Sequence, residues 1–184
     1  MSELKVNKVT PRSGTTVTIG DSGEHLALAG NIGLGGATPT TSGTGITFPA
    51  TASASSNANT LDDYEEGTWT PVITAQTGTI TSYSAEGKYT KIGDLAYVWI
   101  YYNISDVGTG ADNCFISGFP FTAKTTTSNI PFTGVGRNSS NNTGVIQIDG
   151  NATAGLVALY NGGLSLNIMA TGMSWRFSLT YLTN

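Results

Sequence analysis

Polar and apolar residues alternate most regularly near the C-terminus of the chain. Large apolar residues take every second position and polar residues fill the gaps, namely Trp175, Phe177, Leu179 and Tyr181 against Arg176, Ser178 and Thr180. A period of two is that of a β-strand with one face on a core and the other in solvent. The pattern therefore predicts a strand over residues 175–182 whose aromatic and aliphatic side chains point inward.

The segment of residues 89–104 carries large apolar side chains on both alternating faces. Leu95, Tyr97, Trp99 and Tyr101 share one face, and Ala96, Val98, Ile100 and Tyr102 share the other. A strand at the surface of a domain has only one apolar face. We therefore expect one strand here, inside a β-sandwich or at a subunit interface.

Further short apolar runs follow at the spacing of an all-β domain. They cover residues 113–117, 130–135, 144–149, 156–160 and 164–169. Asp149-Gly150-Asn151 and Asn161-Gly162-Gly163 tolerate the positive φ of tight hairpins, so the last three runs are predicted to form a meander. Helical periodicity longer than one turn is absent from the sequence. The prediction is an all-β fold with a β-sandwich, jelly-roll-like head at residues 73–184.

The first 60 residues contain strand fragments, such as the one around Val17 and Ile19, but little apolar surface to bury. Burial stabilises by about 25 cal/mol per Å², while each ordered residue costs roughly 1.5 kcal/mol in entropy, so this segment cannot close a core of its own. Small residues such as Gly33 would let other copies of the chain approach closely. We expect an extended, intertwined β shaft made of several copies rather than a flexible linker.

Composition narrows the function classes. Charged residues are 11% of the 184 residues, the net charge is −4 and the pI is about 4.7. Such a chain offers no basic stripe for a nucleic acid and no attraction to an acidic membrane surface, so neither partner is expected. One Cys and one His exclude a disulfide framework, a CxxC zinc site and a multi-His metal cage within one chain. We expect no metal, no cofactor, no membrane insertion, and synthesis in a cytoplasm.

One dense charge cluster interrupts this charge-poor chain. It contains LDDYEEGTWTP at residues 61–71 and is followed by GKYTKIGD at residues 87–94 and an aromatic strand. This combination resembles the start of the distal domain in many bacteriophage tail fibre and virion fibre proteins. Residues 4–11 and 14–21 are similar to the β-structured shaft segments of such proteins. The resemblance implies a homotrimer with an intertwined β shaft, a virion location and contact with the host surface.

On this basis we predict three regions. Residues 1–60 attach to other virion proteins and form the trimeric shaft, residues 61–72 form an acidic collar, and residues 73–184 form a head that binds a host surface glycan or protein. A purely structural particle protein, such as a head-decorating fibre or tail adaptor, is the alternative. A polysaccharide-degrading enzyme is less favoured, because a glycosidase needs two carboxylates in a cleft and the acids outside the collar lie in apparent turns. We expect no enzymatic activity.

The collar residues are Asp62, Asp63, Tyr64, Glu65, Glu66 and Trp69. We interpret residues 62–66 as a short helical turn with acidic residues near its N-terminus. In a trimer these carboxylates recur around one axis, so each must face water or meet Lys88, Lys91 or Arg12. A calcium site and a catalytic carboxylate pair are the alternatives.

Polar loops of the head are the candidate receptor-binding elements. Amides, a guanidinium and an aromatic ring suit hydrogen bonding to sugar hydroxyls against an aromatic face. The candidates are Arg137, Asn138, Asn141, Asn142, Tyr160 and Asn161. The alternative is that they are ordinary solvated loop residues.

Three other features have simple explanations. Cys114 lies in an apolar run without a neighbouring His, which indicates a buried small hydrophobic residue rather than a nucleophile. His25 is a surface or capping group unless trimer symmetry brings three copies together. The Gly-rich residues 30–36 lack the Lys-Ser/Thr of a phosphate loop, so close backbone packing explains them better.

Overall fold

A computed structural model of the chain defines its fold. It describes residues 30–39, 44–51, 59–125, 131–150 and 169–183, the backbone of Ala154–Ala158, and single positions or pairs at 9, 13–14, 19, 22–23, 26, 28, 55, 57 and 152. Contacts divide the chain into two units, Met1–Thr47 and Phe48–Asn184. The predicted functional boundaries after residues 60 and 72 stay predictions.

The described part of the first unit contains two short strands, β1 (Ile32–Gly33) and β2 (Ile46–Thr47), which pair in parallel. Between them the chain turns at Gly35 and Gly36, whose φ values are 55° and 82°. Glycine adopts this left-handed region most readily, because it has no Cβ atom. The Gly-rich segment therefore contains a turn. The backbone of Ala37 also lies close to Gly33, since a methyl group on Gly33 would overlap the carbonyl oxygen of Ala37.

Large apolar side chains of the first unit are poorly covered by the unit itself. Between 41% and 67% of the surface is exposed at Val9, Ile19, Leu26, Leu28, Leu34 and Ile46. Isolated exposed apolar residues are normal in proteins, so each of these positions alone is ordinary. Together they show that the described large apolar side chains of this unit are little covered by its described part. That the region cannot close a core alone, and that it forms a shaft, stay predictions.

The second unit is built from antiparallel strands in one sheet. Its strands are β3 (Tyr64–Trp69), β4 (Val72–Thr77), β5 (Ser82–Ile92), β6 (Leu95–Asp106), β7 (Ala111–Ser117), β8 (Phe132–Asn138), β9 (Thr143–Ile148), β10 (Ala154–Ala158) and β11 (Met173–Leu182). No helix occurs among the described residues, so the all-β prediction is confirmed for them. By the same token, none of the described residues belongs to a helix able to cross a membrane.

The sheet folds over its own core. Its nine strands follow the order β3-β5-β6-β11-β8-β9-β10-β7-β4. The edge strands β3 and β4 are neighbours in the chain, joined by Thr70 and Pro71. The Sγ atom of Cys114 on β7 lies 3.8 Å from the hydroxyl oxygen of Tyr102 on β6, although β11, β8, β9 and β10 separate these strands in the sheet. One continuous sheet therefore encloses one core, and a jelly-roll strand order is not confirmed.

The centre of the core is the ladder between β6 and β11, which pair from Leu95↔Leu182 to Ile104↔Met173. The inward residues predicted for β11 are at most 1% exposed: Trp175, Phe177, Leu179 and Tyr181. Their β6 counterparts are fully buried: Ala96, Val98, Ile100, Tyr102 and Ile104. The period-two prediction for residues 175–182 is confirmed.

Residues 89–104 form two strands, so the prediction of a single strand is wrong. β5 and β6 meet in a hairpin at Gly93 and Asp94, with Ile92 paired to Leu95. Gly93 has a φ of 54°, the positive value that tight hairpin turns require. One face of β6 is core, while the other lies on the side of the sheet away from the core, which we call the outer face; there Leu95 is 48% and Tyr97 46% exposed.

The other apolar runs match observed strands where the structure describes them. The run at 113–117 is β7, the run at 130–135 corresponds to β8, and the runs at 144–149 and 156–160 correspond to the antiparallel pair β9 and β10. The third run of the predicted meander, residues 164–169, lies outside the described residues except for its last member, Met169.

Candidate functional site

The acidic segment predicted as a helical turn is strand β3, and that prediction is wrong. β3 pairs with β5 along its whole length, from Tyr64↔Ile92 to Trp69↔Gly87. A helical turn would leave the backbone groups of residues 64–69 without these partners. The strand also lets alternate side chains reach different environments, with Trp69 on the core side and Tyr64 on the outer face.

The indole of Trp69 occupies the space left by the missing side chain of Gly87. A methyl group on Gly87 would overlap the indole ring. On its other side Trp69 packs against Phe119, with ring centroids 5.1 Å apart. The buried Trp69 Nε1 has no hydrogen-bond partner among the described residues. Packing of the ring, rather than hydrogen bonding, therefore fixes Trp69 at this edge of the core.

Two polar contacts complete the pairing of β3 with β5. The hydroxyl of Tyr89 donates to Oε1 of Glu65 at 2.5 Å. This hydrogen bond and, secondarily, desolvation raise the pKa of Tyr89 to about 12. The ammonium of Lys91 pairs with Asp63. The segments LDDYEEGTWTP and GKYTKIGD therefore lie side by side on adjacent strands. Side chains of the first segment contact side chains of the second, and Trp69 fills the space beside Gly87.

The ion pair of Asp63 and Lys91 is the most enclosed one among the described residues, with 13% and 11% of the two side chains exposed. Asp63 has a φ of 53°, and its carbonyl oxygen accepts the N–H of Gly93 at 2.9 Å. The pair thus fixes the start of β3 to the β5–β6 hairpin. Lys91 is one of the cations predicted to meet the collar, whereas Lys88 pairs with Glu86 at 3.4 Å. The third predicted cation, Arg12, lies outside the described residues.

The remaining collar groups also bond within the chain. The hydroxyl of Tyr64 donates to Oε2 of Glu66 at 2.8 Å, which raises the pKa of Tyr64. The carboxylate of Asp62 accepts the N–H of Ser55. The ring of Phe48 lies 6.1 Å from that of Tyr64. These contacts favour a structural role for the collar carboxylates.

A polar cavity of about 430 Å³ lies beside the start of β3. It is lined by Ser55, Asn57, Thr60, Asp62, Asp63, Gly93 and Asp94. Asp63 is paired with Lys91, and Lys124 pairs with Asp94 at 3.0 Å, which lowers the pKa of Asp94. Within the described part of the chain, no three His, Cys, Asp or Glu side chains are grouped so that they could hold a metal ion. His25 lies outside that part.

The predicted receptor-binding loop is organised by its own Asn138. This residue is 6% exposed, and its Oδ1 accepts the N–H groups of Ser140 at 3.0 Å and Asn142 at 2.8 Å. Its side chain therefore shapes the turn and is not presented to a ligand. Asn141 is exposed, with a φ of 66° that its short amide tolerates. Tyr160 and Asn161 lie outside the described residues.

Arg137 belongs to strand β8 rather than to the loop. It is exposed on the outer face, directly opposite Arg176 of β11. The sequence already places Arg176 outward, but only the pairing of β8 with β11 brings the two arginines together. Beyond Arg176 follows Tyr101 of β6, whose ring centroid lies 5.2 Å from the guanidinium carbon. Lys88 is held in the same way, with its Nζ 5.8 Å from the ring of Trp99.

Cys114 is a core residue, as the sequence predicts. It is fully buried against Tyr102, and desolvation raises the pKa of its thiol to about 11. A thiol of this kind stays protonated at neutral pH and is a poor nucleophile.

Comparison with known proteins adds no relative: the chain matches no protein-family model, no curated protein and no solved structure.

Removing the charge of Asp63 tests the ion pair with Lys91. In Asp63→Asn the new side chain still tolerates the positive φ, but the enclosed Lys91 loses its ion-pair partner and keeps only the electrostatic interaction with Asp94. We expect the free energy of unfolding, measured by urea denaturation, to fall by about 1 to 3 kcal/mol. The matched control is Asp94→Asn: the pair of Asp94 and Lys124 is about half exposed, so this variant should be destabilised clearly less than Asp63→Asn. Equal losses in the two variants would contradict a structural role for Asp63.

Alkaline pH tests the hydrogen bond of Tyr89 to Glu65. Because the pKa of Tyr89 rises from 10.0 to about 12 on folding, its contribution is complete below pH 10 and is lost as the pH rises towards 12. Tyr89→Phe should be less stable at pH 8 but should lose less additional stability between pH 10 and 12 than the parent. Urea midpoints at several pH values measure this. Parallel pH profiles for the two proteins would show that Tyr89 is not coupled to Glu65.

Proposed function

We propose that the chain is the subunit of a homotrimeric bacteriophage virion fibre whose C-terminal β unit contacts the host cell surface. The observation that carries the proposal is the exposed apolar surface of the first unit, at Val9, Ile19, Leu26, Leu28, Leu34 and Ile46. Association would cover these side chains, because the burial of apolar surface between copies is favourable. Further copies of the same chain supply a matching surface in equal amount.

The second unit suits the distal position in such a fibre. Its core is continuous from β6 and β11 to β4 and β7, so it folds around its own residues and can present a surface. Three copies at the end of one shaft, and several fibres on one particle, would multiply weak contacts with a host surface through their effective concentration.

The fibre-like motifs support the same proposal. The segments LDDYEEGTWTP and GKYTKIGD are separate in the sequence and contribute the paired strands β3 and β5, in which Trp69 packs against Gly87. Strand β5 needs a glycine opposite Trp69, because any side chain at Gly87 would occupy the space of the indole. It also needs a cation near Asp63, and Lys91 supplies it. The joint occurrence of the two motifs thus has a physical basis in one edge of the β unit.

The regions take the following roles in this proposal. Residues 1–60 attach to other virion proteins and form the shaft, residues 61–72 form the acidic collar, whose strand β3 is already part of the sheet, and residues 73–184 form the rest of the head. The protein is then located in the virion, with itself, neighbouring virion proteins and a host glycan or protein as its partners, and it needs neither a cofactor nor a catalytic site.

A structural particle protein without a receptor is the second candidate. It is favoured by the internal use of groups that could otherwise bind a ligand, namely Asn138 in its turn and the collar carboxylates in their pairs.

Host-cell binding separates the two candidates. We expect the purified, fluorescently labelled protein to coat cells of the bacterium that its phage infects, and to block adsorption of the phage at saturating concentration. Cells of a bacterium that the phage does not infect are the control. Protein that neither coats the host cells nor blocks adsorption would favour the structural particle protein.

A further inference from the structure

Two arginines face each other on the outer face of the sheet. Arg137 and Arg176 are directly opposite in the ladder of β8 and β11, and both are exposed. Side chains in this position have Cβ atoms about 4.5 to 5.5 Å apart, and like charges there destabilise the sheet. The whole chain has only 8 Lys and Arg residues. The pairing of two of them is therefore a cost to folding that needs another explanation.

Neither guanidinium forms an ion pair with a carboxylate of the described residues. With the exception of Asp149, each described carboxylate bonds to another group of its own chain: Asp62 to Ser55, Asp63 to Lys91, Glu65 to Tyr89, Glu66 to Tyr64, Glu86 to Lys88, Asp94 to Lys124, Asp106 to Gly108 and Asp112 to Thr77. Among the described cations, the two arginines are thus the ones without a carboxylate partner, because Lys88, Lys91 and Lys124 are each paired.

Neighbouring side chains on the outer face favour the binding of an anion. Arg176 lies over the ring of Tyr101, which restricts the guanidinium without using its N–H donors. On the other side, Arg137 is opposite Thr143, whose exposed hydroxyl can donate or accept a hydrogen bond. Two guanidinium groups side by side can bind a carboxylate or phosphate through paired hydrogen bonds.

We propose that Arg137 and Arg176 form a binding site for an acidic saccharide, one that carries a carboxylate or a phosphate. The choice of a saccharide rests on the proposed function, in which the β unit contacts a cell surface. Hydroxyl and aromatic groups beside the arginines, on Thr143 and Tyr101, suit the rest of a sugar. A nucleic acid is disfavoured because the cations form a spot rather than a stripe and the chain carries a net charge of −4.

Titration calorimetry with the full chain tests the site, using trigalacturonate and glucose 6-phosphate as carboxylate and phosphate probes and maltotriose as the neutral probe. We expect at least one acidic probe to bind about tenfold or more tightly than maltotriose. Arg137→Ser and Arg176→Ser should each weaken that binding by about tenfold or more. Arg176→Lys keeps the charge but loses the paired donors, so it should also weaken binding. Lys124→Ser removes the same charge elsewhere and should leave the affinity unchanged.

Thermal unfolding gives a second readout. Because each serine variant removes a repulsion between like charges, its melting temperature should equal that of the parent or exceed it by roughly 1 to 3 °C. Reduced binding without reduced stability would support the site. Weaker binding accompanied by a clear fall in melting temperature would instead assign the arginines to the fold and overturn it.

Three other outcomes would also overturn the site: no binding of either acidic probe, equal affinity for maltotriose, or equal affinity in the arginine variants. A lower molar mass of the variants with unchanged saccharide binding would assign the pair to contacts between copies of the chain.

Failure of the site and failure of the proposed function are distinguishable. If the parent and both serine variants block phage adsorption equally, the function stands and the site is wrong. If the parent binds acidic saccharide through the arginines but does not block adsorption, the site stands and the function is wrong.

Discussion

The ladder between β6 and β11 is the interaction on which the second unit depends. Its inward side chains are fully or almost fully buried along both strands, from Ala96 to Ile104 and from Trp175 to Tyr181. A single sheet can bury one face only by folding over itself, and the contact of Tyr102 with Cys114 shows where it does so. The shift of either strand by one residue would move these side chains to the outer face. The ladder therefore fixes both the core and the composition of the surface.

The same ladder determines what the outer face presents. Since the even-numbered residues of β6 fill the core, the odd-numbered ones, including Tyr97, Trp99 and Tyr101, lie on the outer face. On β11 the corresponding position next to Tyr101 is Arg176, and β8 places Arg137 beside it. The strand register thus places these aromatic rings and cations next to one another on the outer face.

The sequence predicts features within one segment well, but it predicts poorly which strands pair with each other. The strand at residues 175–182 was predictable because a period of two is visible within one segment. The helical turn predicted for residues 62–66 is wrong because an acidic run resembles a helix start, whereas strand β3 depends on pairing with β5, where Gly87 leaves room for Trp69. The sequence does not separate β5 from β6 at Gly93, because the segments on both sides of it have the same alternating pattern.

The candidate binding residues likewise depend on strand pairing and loop conformation that the sequence does not reveal. The polar neighbours of Arg137 in the sequence make it a candidate, but Arg176 lies beside it only through the pairing of β8 with β11, which are not consecutive in the chain. The sequence also makes Asn138 a candidate, because amides are common in binding loops. Its amide instead accepts two backbone N–H groups of its own turn, a role that depends on the conformation of the loop.

The two units differ in how far they provide for their own stability. The second unit buries its large residues internally, whereas the described large residues of the first unit are mostly exposed. In the proposed fibre, copies of the chain would cover these exposed side chains of the first unit.

The molar mass of the purified full chain in solution tests this account most directly. Light scattering coupled to size-exclusion chromatography should give about three times the 19.0 kDa of one chain. A single species with the mass of one chain, stable over a wide range of concentration, would contradict the claim that copies of the chain cover the exposed apolar surface of the first unit.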